Sequence, residues 1–330
     1  MKSISIALCT YNGARYLDEQ VRTLRLQADV GEILVVDDGS TDGTWAILEN
    51  HAGQDARIKL HRNEAQLGVT GNFERVISLV RGAWVALADQ DDVWLPGKLA
   101  RLRAEWDGIS CLLHHATCKF HGAVPSVPPS PAGERGKFSG SDVRRLLYRN
   151  SIVGHTVLVR TDVARSLAPF PRGVPHDWWL GVGAAVLGRV QYVDEYLVCY
   201  RIHEGNAFHP TGSRWRRLRV EHGLRLELLQ VLTDWQRLSG EPADFVRAYR
   251  RLLGRTAGGT FPWALWLSYY RHAALFFGGG RPLSPVRRLR KSGLAALGAM
   301  LWTPSVGPGE LLRPALPVKP PGDTELRQTG

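Results

Sequence analysis

The first hundred residues alternate between short apolar runs and longer segments in which apolar residues recur at helical spacing. Leu17, Val21 and Leu24, for example, lie three or four residues apart and predict a helix over residues 14–27. The same criteria predict further helices at 44–51 and 72–81 and strands at 3–9, 32–36, 58–60 and 84–88. This alternation predicts an α/β fold, a Rossmann-like, mostly parallel sheet flanked by helices.

The pattern becomes less regular after residue 97. Helices are predicted at residues 98–106, 142–149 and 179–187 (the last opened by residues 176–179), and strands at 110–118, 153–159, 191–193 and 197–201. A loop rich in Pro, Gly and Ser at 124–141 is interpreted as a lid, an acceptor contact or an insertion. Farther along, helices are predicted at 213–238 and 242–253, and an aromatic helical face within 262–277.

Three polar clusters follow predicted strands at their carboxyl ends. They begin at Thr10, Asp37 and Asp89. The carboxyl ends of parallel strands meet at one edge of a sheet, which is where such sheets bind ligands. We therefore expect the three clusters to converge on one rim.

The third cluster, Asp89-Gln90-Asp91-Asp92, places three carboxylates within four residues. Like charges this close are costly unless a cation neutralises them. Carboxylate oxygens suit Mg²⁺ or Mn²⁺, which also bind phosphate oxygens. The alternative is a solvated acidic turn that caps the following helix.

The second cluster, residues 37–42 (DDGSTD), has two interpretations. A carboxylate here could accept a hydrogen bond from a nucleotide base or ribose, whereas Asp and Ser after a strand are also ordinary turn residues. The polar string Thr10-Tyr11-Asn12 after the first strand favours the nucleotide.

Asp177 stands at a predicted helix start among His176, Trp178 and Trp179. Aromatic neighbours would exclude water from the carboxylate and raise its basicity, as a general base requires. The alternative is an N-terminal capping aspartate beside core tryptophans.

Charge divides the chain into two parts. Residues 1–210 carry 23 basic and 23 acidic side chains, whereas residues 211–330 carry 19 basic and 8 acidic ones. The whole net charge of +11 therefore lies in the C-terminal part, which we expect to meet an anionic partner. The four cysteines have no framework spacing and no secretion signal precedes them, so we expect a reducing, cytoplasmic setting.

Taken together and in order, several motifs resemble the inverting family 2 glycosyltransferases with the GT-A fold. The strings are residues 9–13 (CTYNG), 36–42 (VDDGSTD), 89–96 (DQDDVWLP), 176–179 (HDWW) and 200–206 (YRIHEGN). The spacing of Asn63, Gly68, Asn72 and Phe73 resembles that found in one branch of this family, the bacterial rhamnosyltransferases of surface polysaccharide synthesis. The resemblance covers residues 3–210.

The resemblance implies a role for each matching residue. Asp177 would be the base that deprotonates the acceptor hydroxyl. The residues expected to hold the donor nucleotide are Thr10, Tyr11, Asn12, Asp37, Asp38 and Asp89. Those expected to hold Mg²⁺ or Mn²⁺ are Asp89, Asp91 and His203, although His203 could equally be a hydrogen-bonded loop histidine. Contacts with diphosphate or acceptor are expected from Lys98, His176, Trp178, Trp179 and Arg201.

These expectations define three regions: a catalytic domain at 1–210, a basic helical extension at 211–302 and a flexible tail at 303–330. The aromatic face at 262–277, followed by arginines, would suit the interface of an anionic membrane. The alternative is a helical subdomain that packs its aromatic residues on the catalytic domain. No nucleic-acid-binding module accompanies the charge.

The resemblance also implies the partners. The donor would be dTDP-rhamnose or a UDP-hexose, and the acceptor a saccharide, free or lipid-linked, at the inner face of the plasma membrane. Two other interpretations remain open, a nucleotidyltransferase and a non-catalytic nucleotide-sugar-binding protein. The first would need a Gly-rich basic phosphate loop after the first strand, where this chain has only Gly13 and Arg15.

Overall fold

The computed structural model describes residues 3–125, 137–206, 214–254, 262–277 and 283–300, with the backbone alone for 214–219 and 297–300. The predicted tail and most of the loop at 124–141 lie outside these ranges. The strands are β1 (Ile4–Thr10), β2 (Val30–Asp37), β3 (Ile58–Arg62), β4 (Trp84–Ala88), β5 (Val93–Trp94), β6 (Leu112–Phe120), β7 (Leu158–Arg160) and β8 (Val190–Arg201).

The helices are interspersed with these strands up to β8 and then form a continuous C-terminal series. They are α1 (Ala14–Arg25), α2 (Thr44–Gln54), α3 (Gly68–Leu79), α4 (Lys98–Glu105), α5 (Thr161–Ser166), α6 (His176–Leu187), α7 (Arg214–Asp234), α8 (Gly240–Gly254), α9 (Trp263–Arg271), α10 (Ala273–Phe277) and α11 (Pro285–Met300).

The described strands form one sheet in the order β3-β2-β1-β4-β7-β6-β8-β5. Strands β1 to β4 are parallel to their neighbours within that group, and β6 is parallel to β8. Strands β7 and β5 run antiparallel to theirs. Every residue of β1 is buried, as expected for a central strand covered on both faces. The predicted α/β fold is confirmed.

Two predicted elements between β6 and α6 have a different local structure. Instead of a helix over 142–149, the chain forms only a 3-10 turn at Val143–Leu146. The reason is tertiary: the carbonyl of Leu146 accepts from Trp178 Nε1 and that of Tyr148 accepts from Arg225 Nε, each at 2.8 Å. These carbonyls are satisfied without a further helical turn.

The predicted strand at 153–159 is also shorter. It begins as a 3-10 turn at Gly154–Thr156 and becomes extended only in β7. The amide of Gly154 donates to Asp177 Oδ2 at 3.1 Å, which occupies a donor that a sheet partner would need. This turn places His155 inside the protein, where it is 1% exposed.

One apolar core joins the sheet to the C-terminal helices. Leu224 and Leu228 of α7 belong to the same buried cluster as Trp178 and Trp179 of α6 and Tyr249 of α8. Helix α7 is therefore docked firmly on the first part of the chain. The domain boundary near residue 210 stays a prediction, because the core is continuous across it.

The predicted aromatic helix at 262–277 is interrupted at His272, where α9 ends. Leu265, Tyr269, Ala273 and Phe276 are the residues buried on the core. Trp263, on the predicted aromatic face, is 69% exposed. The segment therefore packs one side on the core and presents the other outward. Within the described ranges, no helix combines the length and apolar character needed to cross a bilayer.

Candidate active site

The first two polar clusters meet at the carboxyl edge of the sheet. Thr10 and Asp37 are partners in the parallel pairing of β1 with β2, and Thr10 Oγ1 donates to Asp37 Oδ1 at 2.9 Å. Asp37 also accepts from the amide of Ser40 at 2.9 Å, and Arg62 Nε lies 3.4 Å from its Oδ2. Asp37 is fully buried, so its carboxylate shapes the loop from beneath.

Asp38 is likewise bound by protein groups. It accepts from Asn63 Nδ2 at 2.6 Å and from the amides of Leu67 and Gly68, each at 2.8 Å. These amides begin α3, whose first N–H groups have no partner within the helix. The carboxylate therefore caps α3, and the nucleoside contact expected of Asp38 stays a prediction.

Tyr11 and Asn12 form the outer part of the same rim. Tyr11 is 39% exposed. Asn12 has a positive φ of 48°, and its Oδ1 accepts from the amide of Thr41 at 2.8 Å. These two residues offer the accessible surface that a base or ribose could contact.

Two glutamines hold the acidic loop against the rim. Gln90 Oε1 accepts from the amide of Tyr11 at 2.8 Å, and Gln90 Nε2 donates to the Tyr11 carbonyl at 3.0 Å. Buried Gln20 donates to the carbonyl of Asp89 at 2.9 Å. A Cβ on Gly13 would lie 2.2 Å from Gln90 Oε1, so only glycine leaves space for this pair. Sequence reasoning assigned Gln90 no role.

Asp91 and His203 come together as expected. His203 Nε2 lies 2.8 Å from Asp91 Oδ2, and Asn206 Nδ2 lies 3.4 Å from the same oxygen. His203 Nδ1 accepts from the amide of Gly205 at 3.1 Å. Neutral histidine carries one ring proton, so this arrangement places the proton on Nε2, directed at Asp91.

Asp89 and Asp92 face a histidine that the sequence did not suggest. His155 Nδ1 lies 3.5 Å from Asp89 Oδ2 and 3.2 Å from Asp92 Oδ2. One ligand atom from each of these three residues fits within 4.8 Å of the others. On the far side, His155 Nε2 lies 3.1 Å from Thr117 Oγ1.

The charges in this trio depend on one another. Burial raises the pKa of Asp92 to about 7, against the lowering effect of His155. Burial opposes the positive charge of His155, but Asp92 and Asp89 outweigh it and raise the pKa of the imidazole. The only sequence signal for His155 was its ionisable side chain within an otherwise uncharged predicted strand.

Lys98 and Arg201 support the acidic loop from behind. Lys98 is fully buried; its Nζ donates to the carbonyl of His155 at 2.6 Å and lies 3.5 Å from the centre of the Trp94 ring. Burial lowers the pKa of Lys98. Arg201 Nε donates to the carbonyl of Asp91 at 3.1 Å, and its Nη2 pairs with Glu19. Both side chains are bound by protein groups in this arrangement, and the diphosphate or acceptor contacts expected of them stay predictions.

Asp177 lies in the first turn of α6, half-buried, and three groups hold its carboxylate. Oδ1 accepts from Asn150 Nδ2 at 2.9 Å and from the amide of Trp178 at 2.7 Å, while Oδ2 accepts from the amide of Gly154 at 3.1 Å. Burial raises the pKa of Asp177, although nearby His176 and the two amides lower it. The carboxylate is thus both fixed in position and made more basic.

The neighbours of Asp177 differ in what they can contact. His176 stacks on Phe73 with ring centres 3.9 Å apart, and neither ring nitrogen has a hydrogen-bond partner among the described residues. Trp178 and Trp179 are buried, and their Nε1 groups donate to the carbonyls of Leu146 and Leu167. Trp179 also packs on Trp235 in the core, and the ligand contacts expected of Trp178 and Trp179 stay predictions.

Comparison with known proteins agrees with this geometry. Residues 5–123, which hold the first three clusters, match the model for glycosyl transferase family 2. The chain contains a family 2 glycosyltransferase domain. An uncharacterized protein of Mycobacterium tuberculosis (strain H37Rv) is 28% identical over 277 residues, 77% of this chain and 76% of that protein. The dTDP-rhamnosyl transferase RfbG of Shigella flexneri is 25% identical over 215 residues, 60% of this chain and 72% of RfbG.

Solved structures share the fold of this glycosyltransferase chain. Residues 1–349 of Staphylococcus aureus TarS, in complex with UDP-GlcNAc, superpose with a TM-score of 0.57 at 18% identity, covering 90% of this chain and 81% of that one. The mannosyltransferase PcManGT of Pyrobaculum calidifontis, in complex with GDP-Man and Mn²⁺, gives 0.52 at 16% identity, covering 91% and 87%. The predicted GT-A architecture is thereby confirmed.

Proposed function

We propose that this chain is an inverting glycosyltransferase that moves a sugar from a nucleotide-diphosphate donor to a hydroxyl of a saccharide acceptor. One observation carries the proposal: a fixed carboxylate of raised pKa, Asp177, lies within the electrostatic influence of Asp89, in the acidic loop of the part of the chain that matches family 2. The negative charge of Asp89 contributes to the pKa of Asp177, which places the two groups in one electrostatic neighbourhood.

A divalent cation fits the loop at Asp91 and His203. Asp91 Oδ2 and His203 Nε2 lie 2.8 Å apart and would offer the ion a carboxylate oxygen and an imidazole nitrogen. Binding would require His203 to move its proton to Nδ1 and give up the bond from Gly205. A bound Mg²⁺ or Mn²⁺ would neutralise the diphosphate leaving group. The Mn²⁺ in the PcManGT complex supports this assignment.

The protein's own residues supply the remaining chemistry. Asp177 takes the proton of the acceptor hydroxyl as that oxygen bonds to the anomeric carbon of the donor sugar. The bond from the anomeric carbon to the diphosphate oxygen breaks at the opposite face, so the configuration inverts. Neither ring nitrogen of His176 has a hydrogen-bond partner among the described residues, and the charges of Asp177 and Asp89 both act on this ring, so His176 is suited to contact the donor phosphates or the acceptor.

The identities of donor and acceptor come from similarity alone. The relationship to RfbG supports dTDP-rhamnose as donor, and the TarS complex supports a UDP-hexose. A saccharide, free or carried on a lipid, is the corresponding acceptor in cell-surface polysaccharide synthesis.

Contact with an anionic membrane is the second part of the proposal. Val286 and Leu289 of α11 are 76% and 54% exposed, and Trp263 of α9 is 69% exposed. Exposed Arg287 and Arg290 lie beside them on α11. Apolar side chains among basic ones suit the headgroup region of an anionic bilayer.

The deciding experiment compares the wild-type chain with Asp177→Asn in assays of a nucleotide-sugar panel with Mg²⁺ or Mn²⁺. We expect release of the nucleoside diphosphate by the wild type and a loss of about 10³-fold or more in the variant, because the base is gone while the shape is kept. Equal turnover by Asp177→Asn would refute the assignment of the base. Release of pyrophosphate from a nucleoside triphosphate would instead identify a nucleotidyltransferase.

A further inference from the structure

A cavity of about 220 Å³ lies between the candidate base and the C-terminal helices. Its wall includes Asp177 and Trp178 of α6, Asn150 from the preceding loop, and Glu221 and Leu224 of α7. Pockets for drug-sized ligands measure roughly 300–1,000 Å³. This cavity is smaller, a size that suits a single sugar ring.

Helix α7 is fixed where it forms this wall. Leu224 is 6% exposed and belongs to the common core. One residue farther, the Arg225 guanidinium stacks 4.4 Å from the ring centre of Tyr148, and its Nε donates to the Tyr148 carbonyl. Tyr148 is itself part of the cavity wall. The helical extension therefore completes a site whose other half carries the base.

The polar part of the wall combines a hydrogen-bond donor with a hydrogen-bond acceptor. Glu221 and Arg149 both line the cavity and are exposed. Neither makes a hydrogen bond or an ion pair with another residue in the described part of the chain. A carboxylate only accepts hydrogen bonds and a guanidinium only donates them. A sugar hydroxyl does both, so it can use both groups.

The charge of the wall also restricts the ligand. An anionic ligand would be repelled by the carboxylates of Glu221 and Asp177, and a cationic one by the guanidinium of Arg149, whereas a neutral polyol is repelled by none of them. The apolar C–H face of a sugar ring packs well on aromatic side chains such as Trp178 and Tyr148. The wall thus favours a neutral, ring-shaped polyol.

We propose that this cavity is an acceptor subsite, in which one neutral sugar unit binds between α6 and α7 with a hydroxyl directed at Asp177. Glu221 and Arg149 select that sugar by binding its other hydroxyls. The inference rests on the proposed function, because Asp177 belongs both to the cavity wall and to the reacting centre. It assigns the C-terminal extension a direct part in acceptor choice.

The test uses saturation-transfer NMR on the full chain with the methyl glycosides of rhamnose, glucose, galactose, mannose and N-acetylglucosamine. We expect signals from the ring protons of at least one glycoside. Glu221→Ala and Arg149→Ala should each weaken its binding about fivefold or more, since each removes a hydrogen bond to a charged group. Glu221→Trp should abolish it by filling the cavity. Asp244→Ala, at an exposed position of α8, is the matched control and should bind normally.

The proposal is overturned if no glycoside binds the wild-type chain, or if binding survives Glu221→Trp and both alanine variants. Melting temperatures of the variants exclude unfolding as the cause of a loss. Failure of the enzymatic proposal is separately visible: donor turnover would then be absent or indifferent to Asp177→Asn, whatever the glycosides do. Donor turnover that needs Asp177, without glycoside binding, would refute the subsite alone.

Discussion

Gln90 and Tyr11 are joined by two hydrogen bonds, in which the Gln90 carboxamide pairs with the backbone N–H and C=O of Tyr11. This pair connects the acidic loop after β4 to the loop after β1. The first loop is our candidate for the metal and diphosphate, and the second for the nucleoside. Their relative position therefore depends in part on a side chain that is not itself a predicted ligand.

Replacing Gln90 by glutamate tests this connection. The new carboxylate can still accept from the Tyr11 amide, but its second oxygen faces the Tyr11 carbonyl and adds a charge beside three aspartates. We expect kcat/KM for donor turnover to fall about tenfold or more, corresponding to ~1.4 kcal/mol. Gln66→Glu, at an exposed position without hydrogen bonds to described residues, is the control and should keep the wild-type rate. Wild-type kinetics for Gln90→Glu would show that the pair does not align the loops.

Gly13→Ala should act through the same pair. Its Cβ would overlap Gln90 Oε1 and lie 2.4 Å from Cδ, and the flexible end of Gln90 would have to move away. The loss should therefore match that of Gln90→Ala, and the double variant should be little worse than either single one. A double-mutant cycle on kcat/KM measures this, with a coupling energy of about 1 kcal/mol expected. Strictly additive losses would contradict a shared mechanism.

The sequence predicted the rim well because a buried strand can be recognised from a short local run of apolar residues. Apolar runs reveal β1, β2 and β4, and parallel pairing brings Thr10, Asp37 and Asp89 to one edge. The roles of individual carboxylates were harder to predict. Asp38 caps α3 through amides of Leu67 and Gly68, a contact across about thirty residues of sequence that no local pattern specifies.

Contacts between residues far apart in the sequence also explain the elements that were missed. His155 enters the site because Gly154 bonds to Asp177 and turns the chain, which a strand pattern cannot anticipate. The break at His272 and the buried side of α9 depend on contacts with the core, where Leu265 and Tyr269 pack. Helical periodicity located an amphipathic segment but did not determine which side faces inward.

The rate should depend on pH through Asp177. Its carboxylate must be ionised to accept a proton, and burial raises its pKa above the usual range of aspartate. Activity is therefore complete above the raised pKa and falls as the pH decreases through it, by about tenfold per unit. The acid limb of kcat/KM should lie above the value for a solvent-exposed aspartate. Tryptophan fluorescence over the same range separates titration from acid unfolding, and a rate independent of pH down to 4 would contradict the assignment.

His155→Leu should destabilise the fold more than the loss of one hydrogen bond would. It removes the cationic partner of the fully buried carboxylate of Asp92, which must then take up a proton or stay an unpaired charge, at a cost of about 2 kcal/mol in the free energy of unfolding. Adding Asp92→Asn should recover at least part of that loss, because a neutral amide tolerates burial better than an unpaired charge. Urea titrations of the single and double variants measure both effects. A double variant less stable than His155→Leu would contradict the pairing.

The exposed side of the C-terminal helices should determine membrane binding. Removing Arg287 and Arg290 together (both to serine) should weaken sedimentation with phosphatidylglycerol vesicles about tenfold or more, because each basic residue near the surface contributes ~1 kcal/mol. Trp263→Ser should weaken binding without changing its salt dependence, since it removes apolar area that the membrane would bury and removes no charge. Removing Arg22 and Lys59, which are exposed in the N-terminal part of the chain, matches the charge change and should have little effect. Equal loss in both charge-removal variants would mean that net charge, and not this surface, drives the association.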